Sequence, residues 1–96
     1  MNVRFKWDAG KASANVHKHG VSFDEASTVF DDPLAVIFSD EDHSVNEARE
    51  IIVGRSAQNR LLLVCFTERD RDTVRIFSVR LANRKERKDY EENFKY

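Results

Sequence analysis

Arginines on strand-like segments are the residues of this 96-residue chain best suited to do chemistry. Arg55, Arg69, Arg75 and Arg80 lie in or at the ends of runs rich in Val, Ile, Leu and Phe, and Glu68 stands among them. A guanidinium is always charged and grips a phosphate or carboxylate at two points, so it works as a clamp and not as a base. On a strand it must reach solvent, an opposite charge or a ligand. Simple alternation puts Val74, Ile76, Ser78 and Arg80 on one face and Arg75, Phe77 and Val79 on the other. Two outcomes stay open. Neighbouring antiparallel strands gather the arginines into a basic, aromatic-edged concavity, or cross-strand pairs such as Arg75 with Glu68 neutralise them.

A second group is His17-Lys18-His19, set immediately before Gly20. Cations in the last turn of a helix complement the negative end of its dipole by about 0.3–1 kcal/mol each, which accounts for all three residues without chemistry. Histidine is also the side chain whose ordinary titration lies near neutrality, so His19 remains a candidate for proton transfer.

Charge is unevenly placed. Residues 1–48 carry 4 Lys/Arg against 9 Asp/Glu, whereas residues 49–96 carry 12 against 8, and nine of those twelve are arginines. The basic half points to an anionic partner, or else to salt bridges with the acidic half. The acidic stretch Asp40-Glu-Asp-His43 fails the calcium-loop template, because Val45 and Ile51 stand where a glycine and a glutamate are needed. There is no C-x-x-C, H-E-x-x-H, phosphate-binding glycine loop or G-x-S-x-G. The sequence therefore gives no support to a metal site or a cofactor. One cysteine, Cys65, lies in LLLVCF and reads as an inert core residue of a chain kept in a reducing compartment. No apolar run approaches membrane-spanning length, and the chain is expected to be cytoplasmic.

These residues need elements to position them. Residues 3–7 read as a short strand, and Asp8 as the cap of a helix ending at Gly20. Trp7 with Ala12, and Val21 with Ala26, have the spacing of hydrophobic staples, and Ser22-Phe-Asp-Glu25 has capping-box form. The second helix stops at Asp31-Asp32-Pro33. Strands follow at 34–38, 50–54, 60–66 and 73–81, joined by polar turns, and Asn83-Arg-Lys-Glu86 opens a last helix. The expected fold is α+β, in the order β-α-α-β-β-β-β-α, with a mostly antiparallel sheet and helices on one face. One domain spans residues 1–96.

The motifs FKWDAGKASANVHKHGVSFDEA, DP, VGRS, VCFTER and RIFSVRLANRKERKDYE resemble the BrnT family of type II toxins over nearly the whole chain. Its motif positions fall on Lys18, His19, Gly20, Arg55, Ser56, Thr67, Glu68, Arg69, Ser78, Arg80, Arg84, Glu86 and Tyr90. Phe77 and Val79 depart from the pattern, where an aliphatic and a small residue are usual. The resemblance implies a fold similar to the RelE ribonuclease toxins and inhibition of translation through RNA cleavage. It also implies a BrnA-like ribbon-helix-helix antitoxin that forms a hetero-oligomer with the toxin, with DNA touched only through that antitoxin. RNA cleavage without metal needs a base for the 2′-OH, cations for the phosphorane and an acid for the 5′-oxygen. The catalytic set expected on that basis is His19, Arg55, Glu68 and Arg80. His19 or Glu68 serves as base, His19 as acid and the arginines as clamps. Lys18, Arg69, Arg75 and Arg84 are the expected RNA contacts, and Phe66 or Phe77 a stacking surface for a base. The alternative is a non-catalytic RNA-binding or antitoxin-binding module.

Overall fold

The structure, a computed structural model, describes residues 3–41 and 47–92. The segment 42–46, where part of the rejected calcium loop falls, lies outside the described residues. Elements follow in the order β1 (Arg4–Lys6), α1 (Ala9–His19), α2 (Phe23–Thr28), β2 (Val36–Ser39), β3 (Glu50–Arg55), β4 (Leu61–Asp70), β5 (Thr73–Leu81) and α3 (Arg84–Glu92), with a 3-10 turn at Val29–Asp31 after α2. The five strands form one sheet in the order β1-β5-β4-β3-β2. Among the described residues, the β1–β5 pair alone is parallel. The fold is thus α+β, with a mostly antiparallel sheet and three helices among the described residues.

Local chemistry sets the helix ends. Asp8 Oδ2 accepts from Lys11 N at 2.9 Å, and Gly20, at φ 69°, donates its N–H to Val16 O at 2.8 Å. A left-handed residue at that position satisfies an otherwise orphaned carbonyl, and glycine adopts the conformation without a Cβ clash. Ser22 Oγ caps α2 by accepting from Glu25 N at 3.0 Å.

Alternation along the strands divides the apolar residues between two faces. Val21, Phe23, Ala26 and Val29 pack with Ile52, Leu62, Val64, Phe66, Val74, Ile76 and Val79, and Trp7 and Ala12 lean on this cluster. Both members of each expected staple therefore reach the same core. Leu61, Leu63 and Val53 point the other way and meet Tyr90 of α3. Contrary to expectation, the helices do not all share one face. α2 covers the first cluster, whereas α3 delivers Tyr90 to the second. Gly54 allows the close approach behind this arrangement, since a Cβ there would come within 2.9 Å of both Ala35 Cβ and Val29 Cγ1.

The strand phase assumed along β5 is also corrected. Cys65 pairs with Ser78 but Phe66 with Ile76, so Phe77 is an extra residue, a β-bulge. Beyond it, Val79 rejoins Val74 and Ile76 in the first core. Arg75, Ser78 and Arg80 consequently share the opposite face.

Candidate active site

That opposite face carries a concavity of about 390 Å3 lined by His19, Phe38, Asp40, Ile51, Leu63, Cys65, Ser78, Val79, Arg80 and Glu86. Six elements and one loop residue contribute to it, Ile51 coming from β3 and Leu63 and Cys65 from β4. β5 supplies Ser78 and Arg80, α1 ends on His19, α3 offers Glu86, β2 gives Phe38, and Asp40 follows β2.

Arg80 is oriented by a two-point grip. Its Nη1 and Nη2 donate to Glu86 Oε1 and Oε2, each at 2.8 Å. Glu86 is fixed in turn by its own capping box, where Asn83 N donates to Oε1 and Glu86 N donates to Asn83 Oδ1, both at 2.8 Å. Arg80's hydrogen bonds hold the Glu86 carboxyl below the usual carboxylate range, with the Asn83 N–H adding to the effect. About 39% of the Arg80 side chain stays exposed, so the guanidinium still faces the opening.

His19 is held through the backbone around it. Asn15, only 7% exposed, sits one turn earlier on the same side of α1. Its Nδ2 donates to Val21 O at 3.0 Å and to Val79 O at 2.8 Å, and its Oδ1 accepts from Val79 N at 3.1 Å. An amide thereby closes the β5 ladder where β1 has ended, and it ties the α1–α2 joint to the residue beside Arg80. On the other side of the joint, Arg60 Nη2 donates to Gly20 O at 3.3 Å. Arg60 is anchored by Glu25, whose Oε2 accepts from Arg60 Nε at 2.9 Å and from Ser56 Oγ at 2.7 Å. The Arg60 contact, more than the Ser56 bond, pulls the Glu25 carboxyl below its ordinary range against the opposing effect of burial. Asn15 and Arg60 do not stand out in the sequence as residues of the site. A polar residue on the inward stripe Ala12, Asn15, His19 was the available signal for the first, and no local signal marks the second.

Next to this concavity is a smaller chamber of about 240 Å3 lined by Lys11, Asp40, Arg49, Cys65, Phe77 and Ser78. Asp40, Cys65 and Ser78 belong to both walls. Cys65 is therefore a half-buried wall residue and not part of the first core. Burial pushes its thiol up, against a weaker opposing hydrogen bond from Ser78.

The expected site residues divide. His19 and Arg80 are brought together. Glu68 pairs with Val74 in the ladder and so points to the face opposite Arg75, which excludes the anticipated Arg75–Glu68 pair and leaves Glu68 away from His19. Arg55 lies by α3, its guanidinium carbon 5.9 Å from the centre of the Tyr90 ring, and not beside the α1–α2 joint. Lys18 faces the side of α1 that carries Gly10, Ser13, Ala14 and His17. Arg69 and Arg75 line a separate hollow with Lys6, Asp70 and Thr73, and Arg69 reaches Glu47 at 3.6 Å. Arg84 is exposed on the first turn of α3. Phe66 is 1% exposed and packs edge-on against Phe30, so it offers no stacking surface. Phe77 does reach the open face.

A five-stranded sheet of an α+β fold thus presents an oriented arginine and a histidine in one concavity. The sequence matches the family described as "Ribonuclease toxin, BrnT, of type II toxin-antitoxin system" over residues 7–86. The chain belongs to that family. The fold is similar to the crystal structure of the Brucella abortus ribonuclease toxin BrnT, with a TM-score of 0.66 at 20% sequence identity, covering 86% of this chain and 100% of that one. No curated protein matches the sequence. Among the described residues, no helix is long and apolar enough to cross a membrane, and no group of three or more His, Cys, Asp and Glu is placed to hold a metal ion.

Proposed function

We propose that the chain is the toxin of a type II toxin-antitoxin pair and cleaves RNA in the His19–Arg80 concavity by attack of a 2′-OH on the adjacent phosphate. The convergence of His19 and a Glu86-oriented Arg80 on one open concavity carries this reading. In the proposed step the 2′-oxygen forms a bond to phosphorus and gives its proton to the His19 imidazole. The bond from phosphorus to the 5′-oxygen breaks, and that oxygen takes a proton from water or from the imidazolium. The products are a 2′,3′-cyclic phosphate and a 5′-hydroxyl. Arg80 stabilises the charge gathering on the phosphorane, a contribution preorganised before the reaction starts. Glu86 is a positioning residue for Arg80. With its carboxyl held low it stays ionised and is a poor base. Loss of messenger RNA would stop translation in the cytoplasm, and a ribbon-helix-helix antitoxin would neutralise the toxin by covering the concavity.

Expression of the chain alone, with growth and RNA ends followed together, tests the proposal. Arg80→Ala and His19→Ala should each lower cleavage by about 10²–10³ and restore growth, while the folded protein still captures its antitoxin. A folded Arg80→Ala protein as toxic as the parent would sink the assignment.

A further inference from the structure

The chamber beside the concavity is built around the bulge. Counted from Val74 and Ile76 in the first core, alternation places Arg75 and Phe77 on the open face, where the ring stands half-buried. The extra residue keeps Ser78 and Arg80 on that face as well, while Val79 returns to the core. Bulges beside sites commonly re-aim side chains in this manner. Three cations surround the ring. The Arg49 guanidinium carbon lies 4.0 Å from its centroid, Lys11 Nζ 5.5 Å and the Arg75 guanidinium carbon 5.9 Å. They come from α1, β5 and the segment before β3. An aromatic ring with a guanidinium over it is a surface on which a nucleobase stacks regardless of its identity. Asp40 on the shared wall repels a phosphate but can accept from the amino edge of a base.

We propose that this chamber is a nucleobase subsite. The base next to the scissile phosphate stacks on the Phe77–Arg49 pair with its edge toward Asp40, while Lys11 and Arg75 take the flanking phosphates. The subsite rests on the proposed RNA substrate, but not on the identity of the catalytic groups. It adjoins the concavity through Asp40, Cys65 and Ser78, so one strand of RNA can occupy both.

The test uses short oligonucleotides with 2′-deoxy sugars, which lack the nucleophile and cannot be cut. 2-Aminopurine is placed at each position in turn, and its fluorescence is followed as the full chain is added. One position should be quenched on binding. Phe77→Leu keeps an apolar side chain in the bulge, so its thermal midpoint should stay close to that of the parent. It should nevertheless abolish the quench and weaken binding by about tenfold. If Phe77→Leu binds and quenches as the parent does, or if the parent quenches no position, the subsite is overturned. A parent that quenches one position yet never cuts ribose-containing RNA would defeat the catalytic proposal and support the subsite.

Discussion

Two segments of the chain carry the same capping pattern and use it differently. Ser22-x-x-Glu25 and Asn83-x-x-Glu86 each place a cap three residues before a glutamate, and each glutamate binds an arginine. At α3 both halves of the box close, and the carboxylate still has two lone pairs for Arg80 at the rim of the concavity. At α2 only the cap half forms. The Glu25 side chain, 5% exposed, leaves the box for Ser56 and Arg60 of the β3–β4 hairpin. The same local motif gives a buried tie in one place and a presented cation in the other. What differs is the surface on which each helix lands, since a buried carboxylate must find donors and a rim carboxylate can share them.

The largest effect expected from breaking this contrast is at Glu25. Glu25→Ala leaves Ser56 Oγ and the Arg60 guanidinium without their acceptor. The loss should be about 2 kcal/mol, discounted because Arg60 is partly in water, or roughly 8–16 °C in the thermal midpoint. The pH response should follow. The Glu25 carboxyl is held below its usual range, so the unfolded chain takes up protons first as pH falls. Stability is then complete above the ordinary carboxylate range and lost on descent through the folded-state value. Glu25→Gln should show a shallower acid limb in melts from pH 7 to pH 3, on the order of half the parent's loss or less. An unchanged limb would mean that other carboxylates govern it.

Glu86→Gln should reverse the balance. Its cost in stability should be under about 1 kcal/mol, because Arg80 is more than a third exposed. Cleavage should fall about tenfold as the guanidinium loses its two-point orientation. Equal effects on melting and cleavage would erase the distinction between the two boxes.

A third carboxylate gives the smallest effect. Asp32 accepts from the Tyr90 hydroxyl at 2.6 Å, and burial together with that carboxylate pushes the phenol up to about 12. Because the folded-state value is raised, its contribution is present below the ordinary tyrosine range and lost as pH climbs from about 10 toward 12. Tyr90→Phe should cost about 1 kcal/mol at neutral pH and flatten the alkaline limb of the melting curve.

Element order, the caps at Asp8, Gly20 and Ser22, and the box at Asn83 were legible because each is decided within four residues. The membership of Arg80 and His19 in one site was legible as a possibility, from strand and helix ends alone. The β5 bulge was not, because an extra residue is visible only against the register of the partner strand. That one residue put Ser78 and Arg80 on the face of Arg75 and Phe77 and returned Val79 to the core. Glu68 was misplaced because it falls on the opposite face, and Arg55 because, on the same face as the concavity, it lies toward Tyr90, and sequence alone settled neither placement. Asn15 reads as an ordinary helix residue until β5, 64 positions later, arrives beside it.

That separation has a consequence for how the molecule comes into being. The β2–β3, β3–β4 and β4–β5 pairs are close in sequence and can zip locally, whereas β1 and α1 must wait for β5. Contacts of such long range close late in folding, once the entropy of the intervening loop has been overcome. During synthesis the helix bearing His19 emerges early but has no Val79 to bind. A ribosome must have translated past Val79 before that helix can take its seat.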